Sequence, residues 1–508
     1  MGRLPMTAPE LYACLYAREF PAQSMLRLRP ELRSRPLAIM EGIPPLESVC
    51  SRNAKARIAG VVHGMTRVEV DTILSIMVLP RSRAEESAAK TALLECAGTF
   101  SPRIEDQSSK DTFLCIIDIA GMERLFGSPF TLAKTLLTYV RKLGIAGQLA
   151  ISSNVHTAIC LARSMSPGMD ILIAEPGKER EALAAIPLTV LNLSESHSET
   201  FSLWGIHTLG ALAALPQEAL IARIGQEGKR LQQIVRGELP HLFLPIEAAF
   251  TLKEYVQLDT PVELLDSLLF VVGVMLEQLI LRASARMYAL ASVTVTLALE
   301  GGASHSRTVK TALPTNDRQL WIKLLHLDLE AHPPQAAILA LTLTAEPGTS
   351  SKVQLGLFSP QLPEPLRLDV TLARIAALVG ENRVGCAMVT DTHHPNNFRM
   401  KPFSVPAVSG SGSCPARLHT AQRQLRPAES IAVLLHEERP YAFNFREKRY
   451  VVEHAFGPWR AGGEWWSTTA WGHEQWDLIA RSQDGSVLCC CIAQDLQRSC
   501  WEMVTLYD

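Results

Sequence analysis

Carboxylates at the ends of strand-like apolar runs are the residues of this 508-residue chain whose type and position could do metal chemistry. Phosphate chemistry with two divalent cations needs several of them to converge, because the ions sit about 3.5–4 Å apart and flank the attacking and leaving oxygens. The first apolar run, Leu11 to Tyr16, brings none: no Asp occurs before Asp71, and Glu19 lies beyond the run. The second, Thr112 to Ile119, follows Asp111 and holds Asp118 near its end. A lone strand-end Asp cannot organise two metals, so Asp118 reads as a turn residue. The eleven cysteines stand singly or as the run Cys489 to Cys491, with no C-x-x-C pair, and read as reduced core thiols. Neither a metal nor another cofactor is expected.

A second kind of chemistry is recognition. Lys352 to Pro360 contains the pattern Q-L-x-L-F, in which Gln354, Leu355, Leu357 and Phe358 are the candidate binding residues. An extended peptide of this kind anchors its Leu and its terminal Leu-Phe in an apolar cleft while the Gln hydrogen-bonds at the rim. The pattern resembles the bacterial sliding-clamp binding motif; the competing reading is an ordinary strand with Leu and Phe in a core. Basic residues are sparse: a net charge of −2 and a pI near 6.7 argue against gripping nucleic acid by bulk electrostatics. Local contacts remain, with Arg57, Lys229, Arg230 and Arg236 as candidate DNA or phosphate contacts, against the plainer reading of solvated helix residues.

The elements that must position these residues alternate through the first 170 residues. Strands are expected at Leu11–Tyr16, 35–40, Thr112–Ile119 and Gln148–Ile151, and helices at Ser82–Ala97, Pro129–Leu143 and Val155–Ser164, which implies an α/β layer. From Leu188 to Pro245 short amphipathic helices are separated by Gly205, Gly210, Pro216, Gly225 and Gly237. An extended segment near Tyr255, a helix Val262–Ala283, strands Ala289–Leu299 and Thr308–Leu313, a helix Asp317–His332 and a strand Ala336–Thr344 form an α+β unit. Pro402 to Pro415 has linker composition, centred on Ser409 to Ser413. The tail holds six of the eight tryptophans and is expected to be a small β-rich module with indoles in its core. The longest apolar stretch, Ser267 to Leu276, contains a Gly, runs into Glu277 and is short of a membrane span, and no leader pattern opens the chain, so a cytoplasmic protein is expected.

Several segments in this order resemble the Y-family DNA polymerases, and more closely the ImuB family, their polymerase-like members in the bacterial mutasome. Phe20-Pro21-Ala22-Gln23 and Arg35 to Ala38 resemble the family opening, Ala56 to Met65 the fingers signature A-R-x-x-G-V-x-x-G-M, Asp118 to Gly121 with Leu125 to Gly127 the palm strand and its exit, and Trp204 to Leu212 the thumb. Arg383 to Gly385, Asp391 to His393, Phe398 to Phe403, Gly457-Pro458 and Gly463 to Trp466 resemble the segments beyond. The resemblance implies a multidomain α/β and α+β protein: palm-like 1–30 and 72–185, fingers-like 31–71, helical thumb-like 186–247 and little-finger-like 248–348. A clamp-binding peptide and connector (349–366), a helix and extended segment (367–401), a linker (402–426) and a β-rich module (427–508) would follow.

The same resemblance exposes what is missing. Aligned on Phe20, the family's first metal-binding Asp falls on Leu15, with Tyr16 or Ala17 in neighbouring registers, and its Asp-Glu pair falls on Phe113-Leu114. The fingers Tyr becomes Ala54, the N-K-x-x-A-K segment reads Asn154 to Ile159, and Arg57 survives. The expectation is a polymerase-like protein that is not an enzyme, with Glu19 and Asp111 as the only displaced ligands to consider. What the resemblance implies instead is an adaptor in translesion synthesis, tethered to the sliding clamp and bridging a RecA-like protein of the ImuA class and an error-prone replicative-type polymerase. Trp465 and Trp466 are the candidate docking residues for such a partner, and DNA would be bound weakly. The alternative is an active translesion polymerase with displaced metal ligands.

Overall fold

A computed structural model describes residues 10–247, 249–349, 383–389, 398–401, 422–463 and 470–507, with 371, 372, 374, 375, 379 and 466 between them. Gln354, Leu355, Leu357, Phe358 and Trp465 lie outside the described residues. The chain forms two compact units, Met1–Ala377 and Leu378–Asp508.

The first unit opens with β1 (Tyr12–Ala17), buried on both faces as a central strand must be. Glu19, in the left-handed region at φ 48°, turns the chain into α1 (Phe20–Arg27), where Pro21 occupies the first turn and its missing N–H leaves no bond unmade. Next come β2 (Leu37–Glu41), β3 (Ser48–Arg52), α2 (Ala54–Ile58), α3 (Arg67–Asp71) and β4 (Met77–Pro80), whose strands make a small sheet ordered β3-β2-β4. Asn53 caps α2, and Thr66 with Glu69 forms a capping box on α3. The chain continues through α4 (Arg83–Gly98), β5 (Ile104–Asp106), β6 (Phe113–Asp118), α5 (Glu123–Phe126), α6 (Pro129–Lys142), β7 (Gln148–Ser152), α7 (Val155–Ser164) and β8 (Ile171–Ile173). These complete a five-stranded sheet ordered β5-β6-β1-β7-β8.

The two faces of that sheet are buried differently. Leu15, Phe113, Cys115 and Leu149 pack with residues of α4 and α6. Tyr12, Cys14, Tyr16, Leu114 and Ile116 pack instead with α7 and with the helices that follow: α8 (Glu179–Leu183), α9 (Glu195–Leu203), α10 (Leu209–Ala214), α11 (Gln217–Ile224) and α12 (Gln226–Arg236). One apolar core therefore runs from the sheet into the helices. Gly210, expected to separate helices, lies inside α10: a Cβ there would sit 2.7 Å from the Ala184 carbonyl, so glycine serves close packing rather than a break.

A connector then runs along the sheet edge, where Ile246 bridges Ile104 and Phe243 stacks on Tyr12 at 6.0 Å. It leads to β9 (Lys253–Val262), α13 (Leu265–Ala285), β10 (Tyr288–Leu299), β11 (Ser304–Thr315), α14 (Arg318–Ala331) and β12 (Ile338–Thr349), an antiparallel sheet ordered β11-β10-β12-β9 with both helices on one face. β9 extends over Val262, the expected helix start, because it pairs along β12, and β12 runs past Thr344 because Thr349 still pairs with Tyr288. α13 is long and apolar enough to cross a membrane by composition, but half of its apolar window is buried within this fold.

This second sheet is joined to the first by charge. Arg27 of α1 and Arg282 of α13 both bond Glu254 of β9, and Arg282 also bonds Glu95 of α4 at 2.7 Å. All four side chains are at most 4% exposed. Beside them Arg29 makes a two-pronged pair with Glu85, whose carboxylate also accepts from the Gln257 amide. Burial pushes the Glu95 carboxyl up, against the opposing pull of Arg282.

The second unit contains a two-stranded ribbon, β13 (Cys386–Val389) with β14 (Phe398–Lys401), and a closed barrel. The barrel strands β15 (Gln422–His436), β16 (Arg439–Phe445), β17 (Lys448–Gly463), β18 (Trp471–Ser482), β19 (Val487–Asp495) and β20 (Cys500–Tyr507) pair in sequence, and β20 closes on β15. β15 begins at Gln422, inside the segment expected as linker up to 426, because Gln422 to Gln424 pair with β20. The indoles are not the core as a group. Trp476 is buried among Phe443, Phe445, Tyr450, Leu478, Ile492 and Met503, and Trp501 packs against them, whereas Trp459 and Trp466 are exposed.

Candidate functional site

The site that polymerase chemistry would use lies where β1 ends and β6 begins. The antiparallel register puts Tyr16 opposite Leu114 and Ala17 opposite Phe113. Side chains alternate across a strand, and Leu15 and Leu114 fall in the cores on opposite faces of the sheet. Leu15 is thus the wrong register for a carboxylate that must converge with residue 114; the neighbouring register, with Tyr16, is the one that shares a face with it. Leu114 is 1% exposed, and burial pushes the Tyr16 hydroxyl up. Such a contact excludes water and offers a neutral phenol but no carboxylate oxygen for a hard cation. Among the described residues no group of three or more His, Cys, Asp or Glu side chains is arranged to hold a metal ion.

The remaining carboxylates are engaged elsewhere. Glu19 accepts from the Ser51 hydroxyl at 2.8 Å and the Arg52 amide at 3.0 Å, and meets His63 Nε2 at 2.8 Å, bracing β3 against the turn after β1. Asp111 pairs with Arg81 at 2.7 Å, and the same guanidinium holds Glu86 and Glu41. Lys110, with Arg83 and Arg81, holds the Glu41 carboxyl down at about 2. Asp118 sits at the opposite end of β6, where it accepts from the Ala120 amide and pairs with Arg103.

Beside this end of the sheet is a cleft of ≈ 370 Å³ lined by Arg18, Glu19, Arg52, Ala54, Arg57 and Gln148 among others. Its cations are largely committed. Arg18 donates to the carbonyls of Arg163 and Met165 at the end of α7, and Arg52 donates to the carbonyl of Val61. Arg57 is exposed on α2. The Asn154 to Ile159 segment is structural: Asn154 caps α7 and bonds the Leu239 carbonyl, Val155 is buried, and Ile159 packs on the core. Burial, with the neighbouring His241 and Arg230, pushes His156 down to about 4.

The basic residues of α12 divide. Arg236 donates to the Ala213 carbonyl at 2.8 and 3.1 Å and so caps α10 rather than facing phosphate. Arg230 pairs with Glu227 at 3.1 Å, and Lys229 is half-buried. Sequence reasoning missed the cluster in which Glu105 accepts from Gln107, His241 and the Leu244 amide. Burial alone would raise Glu105, but these bonds outweigh it and hold the carboxyl below its ordinary value. It missed the Arg27–Glu254–Arg282–Glu95 joint as well, for which the one available signal was charge within otherwise apolar runs.

Residues 15–163 match the family model described as the impB/mucB/samB family. The chain is 26% identical over 397 residues to Protein ImuB of Caulobacter vibrioides (strain NA1000 / CB15N), covering 75% of this chain and 83% of that protein. It is 27% identical over 320 residues to DNA polymerase IV 1 of Mesorhizobium japonicum, covering 61% and 70%, and 30% identical over 240 residues to DNA polymerase IV of Moorella thermoacetica, covering 44% and 56%. Among solved structures, an insertion ternary complex of Dbh DNA polymerase is 16% identical with a TM-score of 0.41, covering 67% of this chain and 99% of that one. The chain is thus similar to Protein ImuB over three quarters of its length, and its residues 15–163 match the impB/mucB/samB family model.

Proposed function

We propose that this chain is a non-catalytic adaptor in DNA damage tolerance, one that binds the sliding clamp and brings an error-prone polymerase to damaged DNA. The observation that carries the reading is the buried pair Tyr16 and Leu114 at the sheet end where two-metal chemistry would need carboxylates. The similarity to ImuB supplies the biological setting, translesion synthesis. In this reading residues 1–30 and 72–185 are a palm without a metal site, residues 31–71 are fingers, residues 186–247, with α9 to α12, are a thumb, and residues 248–348 are a little finger. Gln354, Leu355, Leu357 and Phe358 are the clamp-binding peptide, a weak and exchangeable tether that raises local concentration. Trp465 and Trp466 belong to the docking region for the RecA-like ImuA-class partner and the recruited polymerase.

The test is a pull-down with purified sliding clamp. The wild-type chain is expected to be retained, and Leu357→Ala with Phe358→Ala to lose at least about tenfold in affinity, since two buried apolar anchors are removed. Unchanged retention of the double variant contradicts the tether. A second reading, an active polymerase with displaced ligands, takes its support from the DNA polymerase IV relatives. It requires Glu19 to leave Ser51, Arg52 and His63, and Asp111 to leave Arg81.

A further inference from the structure

β15 leaves its ladder beside one face of the barrel. Gln424 pairs with Thr505 and Glu429 with Met503, so residues 425–428 stand opposite Val504 alone. Leu425 packs in the barrel core, and Arg426, Pro427 and Ala428 line a cleft of ≈ 580 Å³. Bulges bend a strand away from its neighbour and recur beside binding sites. Across this face Gln475, Ala493 and Glu502 form a row on β18, β19 and β20. Ala493, 3% exposed, keeps the middle of the row low between a longer amide and a longer carboxylate.

The cleft brings together flat groups, polar groups and cations. The Trp471 and His473 ring centroids lie 5.7 Å apart, and the Arg426 guanidinium stands 4.5 Å from the centroid of the Phe398 ring. Aromatic rings and guanidinium planes are the surfaces on which unpaired bases stack. Gln475 both donates and accepts, and Glu502, which meets no partner among the described residues, accepts. Together they complement a base edge that carries amino and carbonyl groups. Asp495 closes its own turn, accepting from the Gln497 and Arg498 amides at 2.8 and 3.1 Å. The Arg498 side chain lines the cleft, 4.0 Å from Asp495. Arg399 and Arg423, the chain neighbours of the lining residues Phe398 and Gln424, pair with no carboxylate among the described residues. A peptide finds less here, because Gln475, Ala493 and Glu502 are each paired on both sides and leave no open edge for an added strand.

We propose that this cleft holds an unpaired nucleotide of a single-stranded nucleic acid. The base stacks among Trp471, His473 and Arg426 and meets Gln475 and Glu502 with its edge, and the phosphates lie at Arg498, Arg399 and Arg423. The contacts are few, in keeping with a chain whose net charge is −2. The inference rests on the second unit alone and does not depend on the adaptor reading.

The test titrates the full chain into a fluorescent single-stranded DNA dodecamer at low salt, then maps photo-crosslinks from a single 5-iodo-deoxyuridine in the same strand by mass spectrometry. Crosslinks are expected at Phe398, Trp471 or His473. Arg426→Ala with Arg498→Ala should weaken binding about tenfold or more and make the salt dependence shallower by about 1.4, the share of two phosphate contacts. Arg439→Ala with Arg449→Ala, which removes the same charge outside the cleft, should change affinity less than about twofold. Duplex DNA should compete about tenfold less well than the single strand, because its bases are already stacked. The same sequence as RNA, used as competitor, identifies the preferred strand, and displacement by it supports the site. Four results overturn the proposal: crosslinks confined to the first unit, equal losses in the two double variants, competition by duplex as strong as by single strand, or no binding of oligonucleotide at all. The last would leave a protein segment as the occupant of the cleft.

Discussion

Two buried regions of the first unit treat charge in opposite ways. Where β1 meets β6, positions that could carry carboxylates hold Tyr16, Leu114 and Phe113, and the sheet face continues as plain apolar core into the helices behind it. Where α1 and α4 meet β9 and α13, four charged side chains are taken almost completely out of water and paired with one another. The fold carries the cost of burying charge at a joint between its five-stranded and four-stranded sheets. Separating the β9 to β12 sheet from the body would leave these charges buried without partners or expose them singly, so the cluster ties β9 and α13 to α1 and α4.

The comparison can be broken by exchanging the two kinds of chemistry. Placing a carboxylate on the apolar side, Leu114→Asp, is expected to destabilise by about 3–5 kcal/mol in urea unfolding, because the group is desolvated in an apolar core. A stability loss under about 1 kcal/mol would mean that the face is open to water. Removing a carboxylate from the ionic side, Glu254→Ala, is expected to cost about 3–5 kcal/mol, since Arg27 is left buried without its partner. His156 sharpens the contrast as a half-buried titratable group without an acidic hydrogen-bond partner. Its folded value near 4 lies below the ordinary 6.5. Between those values the unfolded chain takes up a proton that the folded chain refuses, so stability present at pH 7 is lost as pH falls through this window. The group is partly solvated, so the effect from pH 7 to pH 5 is about 1 kcal/mol, and His156→Gln should remove it from the pH dependence of thermal unfolding.

Much of the architecture was legible in the sequence. Apolar runs with strong end signals gave β1, β6 and α7 to within a residue or two, because Pro21, Gly121 and the Asn154 cap fix those ends locally. Strand ends fixed by distant partners were not legible: β12 reaches Thr349 only through pairing with β10, and β17 runs sixteen residues because β18 lies along it. The barrel turns were hidden for a different reason. Glu437-Glu438 and Arg446-Glu447 adopt left-handed conformations without the glycine or asparagine that announces a tight hairpin. At the candidate site, the loss of carboxylates was readable from residue types alone. The choice between Leu15 and Tyr16 needed the cross-strand register, and the commitment of Arg236 to Ala213 needed the packing of α12 on α10.

Primer extension by the purified full chain, on templates with and without a lesion and with Mg²⁺ or Mn²⁺, tests the central claim most directly. The buried Tyr16–Leu114 contact predicts no templated incorporation above a no-protein control. Templated extension that Glu19→Gln or Asp111→Asn abolishes would contradict it.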